Sequence, residues 1–413
     1  GSMMSTFELI YLATFLSILV GFAVGMTTAL MQYSVYDYTV TFFAFIFYSL
    51  PIFWVAVLLK QYLAIGFNDF LQDPQVPPLI IAIIALVSGW IWVGIIGGER
   101  VRKLQIFAIA TVTTGGILVI FNLTNWYTNP GIGPITGLIL GVGLALIVTA
   151  LSTGLSNIRA RNASLVTVGI GMLAWWPFNL ASPFITGASF AILAVVTVAV
   201  GFAVGYFMGG EDKMPVARTA AISAFLMGGI IALDRFMQAW KPYSESSYIS
   251  GRPFATVGAS TPNLKGSFWV MGVDQFTHIL LPTLALLLIG FAGYTRYSRA
   301  SLLEVMNQDY IRTARAKGLN ERTVVMRHAF RNSLIPLTTL VAFDFAGVIG
   351  GAVITERVFA WRGMGSLFVE SLTRVDVNPV MGFFLITGTV AILFNLFADL
   401  AYSLLDPRIR VNA

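Results

Sequence analysis

The sequence has no cysteine, only two histidines (His278 and His328), and very little charge. Without cysteine there is no disulfide, no thiolate nucleophile and no iron–sulfur ligation. Two histidines fifty residues apart argue against a histidine-rich metal site. Charged residues make up 11% of the 413, against about 25% in ordinary soluble domains. That is too few to cover the water-facing surface of a globule this size. A soluble enzyme, a disordered chain and a nucleic-acid-binding domain are all excluded. What is present instead is apolar: 57% of the residues are hydrophobic. The chain reads as an all-α, polytopic membrane protein whose first partner is the lipid bilayer.

A membrane-crossing helix needs roughly 20 apolar residues. Eleven runs satisfy this, at about 7–31, 39–66, 79–98, 104–123, 133–155, 163–182, 184–208, 216–234, 274–295, 336–356 and 378–405. Gly1-Ser2 reads as an expression scar, so residues 1–5 are set aside as the N-terminal end. The first apolar run lacks a small-residue cleavage site after it and reads as a span.

Lysine and arginine are unevenly distributed among the loops. Seventeen of the 25 fall on one side of the predicted spans and eight on or towards the other, so the richer side is predicted to be cytoplasmic. The C-terminus is then inside and the N-terminus outside.

The most informative loop is Arg296–Ile335, with eight basic and three acidic residues. Within it, Asp309 is a good N-cap, Lys317 suits the negative end of a helix, and Gly318 can adopt the left-handed conformation that stops one. The spacing predicts a short helix over 309–317, then a second, capped by Asn320, from Glu321 to about Asn332. So short a helix is not stable alone in water. Ile311, Ala314 and Leu319 would suit docking in a partner's groove. By spacing alone, a basic loop that only enforces orientation fits as well.

The run Tyr294–Leu319 (YTRYSRASLLEVMNQDYIRTARAKGL) resembles the cytoplasmic coupling loop of ATP-binding-cassette importers. Specifically, it resembles the first permease subunit of the dipeptide/oligopeptide/nickel group. The likeness extends through Arg327–Pro336 (RHAFRNSLIP), Gly350–Glu356 (GGAVITE) and Leu405–Arg410 (LDPRIR), with Tyr48–Trp54 (YSLPIFW) nearer the start. It implies a type I importer permease core. It also implies that the coupling helix comprises Gln308, Asp309, Tyr310, Ile311, Arg312, Thr313, Ala314, Arg315, Ala316, Lys317, Gly318 and Leu319, seated in a cleft of an ATPase subunit. The partners implied are a second permease, two ATPase subunits that carry ATP and Mg, and an external substrate-binding protein. The solute class implied is peptides or similar small solutes.

Independently of any family, none of the six lysines is followed by Ser or Thr, so no phosphate-binding Lys-Ser/Thr loop is present. The chain is expected to bind no cofactor and to perform no chemistry.

Only five spans match the family's six. The core is expected at 6–66 and 274–413, without the family's first helix, and 241–273 is an external loop. Residues 67–240 form a six-span insertion, and six being even, the flanking core keeps its orientation. The inserted spans carry acidic and basic residues only at their ends, which favours an accessory bundle over a second transport path. Gly137, Gly141, Gly143, Gly169 and Gly171 suit close helix packing there.

Charged residues inside a membrane usually mark a pathway. Asp344 reads either as lining the route or as a buried, hydrogen-bonded helix contact. Glu356 and Trp361 follow at the external end, where the resemblance implies a gate. His278 reads as a helix-start or loop contact. Two other classes remain: a secondary transporter, which should show inverted repeats and several midplane ionisable groups, and a non-transporting homologue with an assembly role.

Overall fold

The computed structural model describes residues 2–405, without the side chains of 2, 322, 339, 342, 343, 345–352, 398 and 401–405. Residues 406–410 of the C-terminal motif therefore lie outside the described residues. Seventeen α-helices follow in order: α1 Ser2–Leu30, α2 Val35–Ser49, α3 Ile52–Leu59, α4 Gly66–Phe70, α5 Pro78–Ile96, α6 Arg100–Leu123, α7 Gly133–Ser152, α8 Ile158–Ala181 and α9 Gly187–Met208. They continue as α10 Lys213–Gln238, α11 Trp240–Ser244, α12 Phe268–Met306, α13 Asp309–Ala316, α14 Glu321–Thr323, α15 Phe330–Val358, α16 Met364–Thr373 and α17 Val377–Leu405. No strand occurs among the described residues. In hydrocarbon this is the expected outcome, because a helix satisfies its peptide groups within one segment.

Nine helices among the described residues are long and apolar enough to cross a membrane. The predicted run 39–66 is not one straight span. It divides into α2 and the stretch Ile52–Phe70, which meet at 105°. Leu50 is extended (φ −82, ψ 132), because the ring of Pro51 clashes with a helical residue before it. A continuous apolar run concealed the break. The predicted run 336–356 falls in α15, which carries Pro336 inside it. Two stretches of wider π-helical turn, Lys60–Ile65 and Val324–Ala329, adjoin α3 and α15.

The core packs α1 along α12. Gly21 and Gly25, one turn apart, let the backbones meet: a Cβ at Gly21 would lie 2.5 Å from that of Tyr294, and one at Gly25 would collide with Ser298. The Ser298 hydroxyl donates across to the Gly21 carbonyl at 3.2 Å. Small residues at this period serve as a packing face where lipid offers no hydrophobic drive for association.

Helices α7 to α10 use the same device. Gly201 and Gly205 of α9 lie against Ala217, Ala220, Ala221 and Ala224 of α10, and Gly209, just past the end of α9, lies against Lys213. Gly137 receives Trp175, and Gly141 and Gly171 receive Met227, whereas Gly143 and Gly169 face open space. Asp234, near the end of α10, accepts from the backbone N–H groups of Ile132 and Gly133 at 2.8 and 3.0 Å, fixing the start of α7.

Helices α8, α9 and α10 meet the start of α12 at the face opposite the Arg296–Ile335 loop. There Trp269 of α12 donates to the Ser182 carbonyl at 2.8 Å inside a cluster with Phe178, Phe190, Phe236 and Phe268. The α5–α6 hairpin is held by Asn122, which exchanges two hydrogen bonds with the Val76 backbone.

Replacing Gly205 with leucine would force the side chain into the Ala217 backbone, 2.5 Å away, an overpacking cost of about 1–3 kcal/mol. In detergent, Gly205→Leu is expected to lower the melting temperature of the chain clearly. Gly143→Leu, which meets nothing within 4 Å, is expected to leave it unchanged.

Candidate functional site

The basic loop forms a compact joint at one end of the core. α13 begins at Asp309, with Gln308 in the N-cap position and no side-chain capping bond. The expected cap by Asp309 is therefore corrected: it is the first helical residue, where its charge meets the positive end of the helix. Its carboxylate also lies 3.6 Å from Arg312. Lys317 closes the helix, and Gly318 has φ +77, a left-handed conformation that a side chain would strain. Asn320 accepts from the Thr323 backbone N–H at 2.8 Å, capping the next helix as expected. That helix does not stop near Asn332. It passes through the π turn directly into α15, so the loop's second half is rigidly continuous with a long core helix.

Ile311 and Ala314 are buried on the inner face of α13, packed against Ala29 at the end of α1, Leu302 of α12, and Val324 and Ala329. This differs from the expectation that the apolar positions dock in a partner. A one-turn period puts both residues on a single face, and the nearest apolar surface belongs to the chain itself. All other residues from Gln308 to Leu319 are presented outward.

Two ion pairs hold the joint. Arg315 and Glu321 pair through two bonds, 3.1 and 2.7 Å, across the turn at Gly318. The Arg315 hydrogen bond keeps the Glu321 carboxyl below the usual glutamate range. Arg299 of α12 donates through Nε and one terminal nitrogen to the two oxygens of Asp37, both at 3.0 Å. Asp37 is buried and also accepts from the Tyr33 backbone N–H, while its own N–H is capped by Ser34. The sequence reading missed this pair. A signal was present in the Ser34-Val-Tyr-Asp37 capping pattern, though nothing local could name Arg299 as its partner. Arg296, one turn away, lies over the rings of Phe45 and Tyr48 at 5.0 and 4.5 Å.

At the opposite face, Glu356 is fully buried. It accepts from Thr6 Oγ1 at 2.6 Å and from the Ser366 N–H at 2.8 Å. Trp361 is also buried and donates from Nε1 to the Ser5 carbonyl at 3.1 Å. Both residues thus tie the start of α1 to α15 and α16, beside a cavity of about 560 Å³ bordered by Arg357, Arg362 and Glu370. Asp344 is half-buried beside Tyr294 of α12. The structure brings residues 308–319 together in one joint, and places Asp344 apart from Glu356 and Trp361. Among the described residues no group of three His, Cys, Asp or Glu could hold a metal ion.

Nine long apolar helices among the described residues, with a short exposed helix at the end of two of the long ones, define a multi-pass membrane protein. Residues 236–411 match the family of binding-protein-dependent transport system inner membrane components. The chain is 33% identical over 230 residues to the oligopeptide transport system permease protein OppB of Mycobacterium tuberculosis, covering 55% of this chain and 69% of that protein. It is 40% identical over 156 residues to the oligopeptide transport system permease protein AppB of Bacillus subtilis, covering 38% and 48%. It is 41% identical over 138 residues to the dipeptide transport system permease protein DppB of Escherichia coli, covering 33% and 41%. The chain belongs to this family of inner membrane components and is a permease subunit of an ATP-driven importer, working with ATPase and binding-protein components.

Asp37 and Arg299 are 262 positions apart, so their coupling can be measured by a double-mutant cycle. Asp37→Asn and Arg299→Gln should each lower thermal stability. The double variant should lose less than the sum, by about 1 kcal/mol or more.

Proposed function

We propose that the chain forms half of a translocation path for peptides or similar small solutes. In this reading it pairs with a second, related permease, two ATPase subunits bind from the cytoplasm, and an external binding protein delivers solute. Its relatives are named as oligopeptide and dipeptide transport permeases, which supports that solute class. The basic face is the cytoplasmic side of a bacterial cell membrane, as the excess of lysine and arginine there favours. The chain's start then lies outside and its end inside.

The observation that carries the reading is the outward face of residues 308–319. A helix whose apolar side is fixed on its own core can pass displacement inward, while its exposed side engages another subunit. ATP and Mg would be held wholly by the ATPase subunits, and this chain would carry no cofactor. Closure of those subunits would press on Tyr310, Arg312, Thr313 and Ala316. The load would pass through Ile311 and Ala314 to α1 and α12, and through the continuous helix into α15. The core helices would then rock, opening the shared path to each side in turn. Asp344 would line the route, and Glu356 with Trp361 would anchor an external gate built on α16. The insertion at 67–240 would act as an accessory bundle, facing lipid or another subunit rather than forming a path.

The test uses the permease assembled with its ATPase partners. Ala316→Trp and Arg312→Glu alter exposed positions. They are expected to reduce ATPase association and ATP-driven uptake by about tenfold or more while membrane insertion and melting temperature stay unchanged. Unchanged association and uptake in both variants would overturn the coupling assignment.

A further inference from the structure

Residues 245–267 form an external segment almost without regular structure, yet it is tied down on every side. Asn68 of α4 exchanges two 2.9 Å hydrogen bonds with the backbone of Phe254. The Tyr243 hydroxyl donates to the Pro253 carbonyl at 3.0 Å. Asp274, fully buried in α12, accepts from the hydroxyl and backbone N–H of Thr261 at 2.6 and 3.1 Å. The Gly258 N–H reaches the Phe359 carbonyl at 2.8 Å. A loop free to move would not need anchors to four separate elements. These bonds hold open a cavity of about 460 Å³ between α4, α12 and the loop, within the roughly 300–1,000 Å³ usual for small-molecule sites.

The cavity's chemistry is two-signed. Asp69 and Arg252 both line it, both are exposed, and neither side chain has an ion-pair or hydrogen-bond partner among the described residues. His278, buried to 6% exposure, borders it as well. Its Nδ1 lies 2.8 Å from the Asp274 carbonyl. A carbonyl can only accept, so Nδ1 donates there, and the Asp274 carboxylate lies 3.5 Å from the same nitrogen. Tyr248 and Phe254 add aromatic wall. A cavity with a carboxylate and a guanidinium, neither of them partnered among the described residues, matches a small molecule carrying both charges.

We propose that this cavity is a weak external subsite for a zwitterionic solute, with Asp69 meeting an ammonium group and Arg252 a carboxylate or phosphate. This rests on the reading of the chain as a solute permease and adds a recognition step at the permease itself. The occupant is the free solute, a short peptide with unblocked termini, rather than a lipid headgroup of the same charge pattern. Charge-assisted contacts to both ends discriminate against a solute lacking either one.

The test measures binding of radiolabelled L-alanyl-L-alanine to the full chain in nanodiscs of phosphatidylglycerol, with no ATPase present. N-acetylation or C-terminal amidation of the dipeptide should each weaken binding by about tenfold. Asp69→Asn should weaken the free dipeptide but not the N-acetylated form. Arg252→Gln should weaken the free dipeptide but not the amide. Both side chains are exposed, and an unchanged melting temperature shows that each variant is folded. Absence of dipeptide binding, equal binding of blocked and free dipeptides, or indifference to both substitutions would overturn the proposal. Loss of dipeptide binding when phosphatidylethanolamine is added would assign the cavity to a headgroup and overturn the solute assignment. Failure here leaves the coupling reading standing, because ATPase association at Arg312 and Ala316 is measured on the opposite face without solute.

Discussion

A peptide group left unpaired in hydrocarbon costs several kcal/mol, and that cost organises this molecule. It confines regular structure to helices and sends charged side chains to the two ends of the bundle. Helices then associate through small residues, as Gly21 and Gly25 do against α12 and Gly201, Gly205 and Gly209 do against α10. With the middle committed to packing, specific polar chemistry gathers at the two faces. One face carries the joint at residues 308–319, and the other carries the anchored loop and the contacts of Glu356.

The two faces are built differently because they serve different ends. At the basic face, Asp37–Arg299 and the buried pair Ile311 and Ala314 make α13 part of the ends of α1 and α12. A displacement imposed on its outer side has no slack to take up before it reaches the long helices. At the opposite face α8, α9 and α10 are fastened to α12 through Trp269 and its aromatic neighbours. The outer side of α13 is exposed, which leaves that surface available to another subunit.

Much of this was legible from residue order. Apolar runs located the helices, Gly318 announced a left-handed stop, and Asn320 a cap, because each of those signals is local. The bend at Pro51 was also local but was masked by the apolar run around it. Asp309 was misjudged by one position, since Gln308 is a weak cap and the sequence offered a better one beside it. The glycines of α9 have a readable four-residue period; of the glycines singled out from the sequence instead, Gly137, Gly141 and Gly171 receive side chains, whereas Gly143 and Gly169 face open space. The contacts that decide the site were not readable at all. Arg299 with Asp37, Glu356 with Thr6, and Asn68 with Phe254 join residues separated by 262, 350 and 186 positions. Only the folded arrangement pairs them, and no periodicity encodes the choice. For the same reason the inward turn of Ile311 and Ala314 could not be told from an outward one.

The central claim is that α13 moves with the core of its own chain as one body. Because the sequence has no cysteine, spin labels can be placed at Met31→Cys and Thr313→Cys alone, both exposed positions. The distance between them is then measured by electron–electron double resonance in the assembled importer, with and without ATP. A rigid joint predicts one narrow distance distribution, the same in both states. A distribution that shifts or broadens when ATP binds would show α13 sliding on its own core, and would contradict the account.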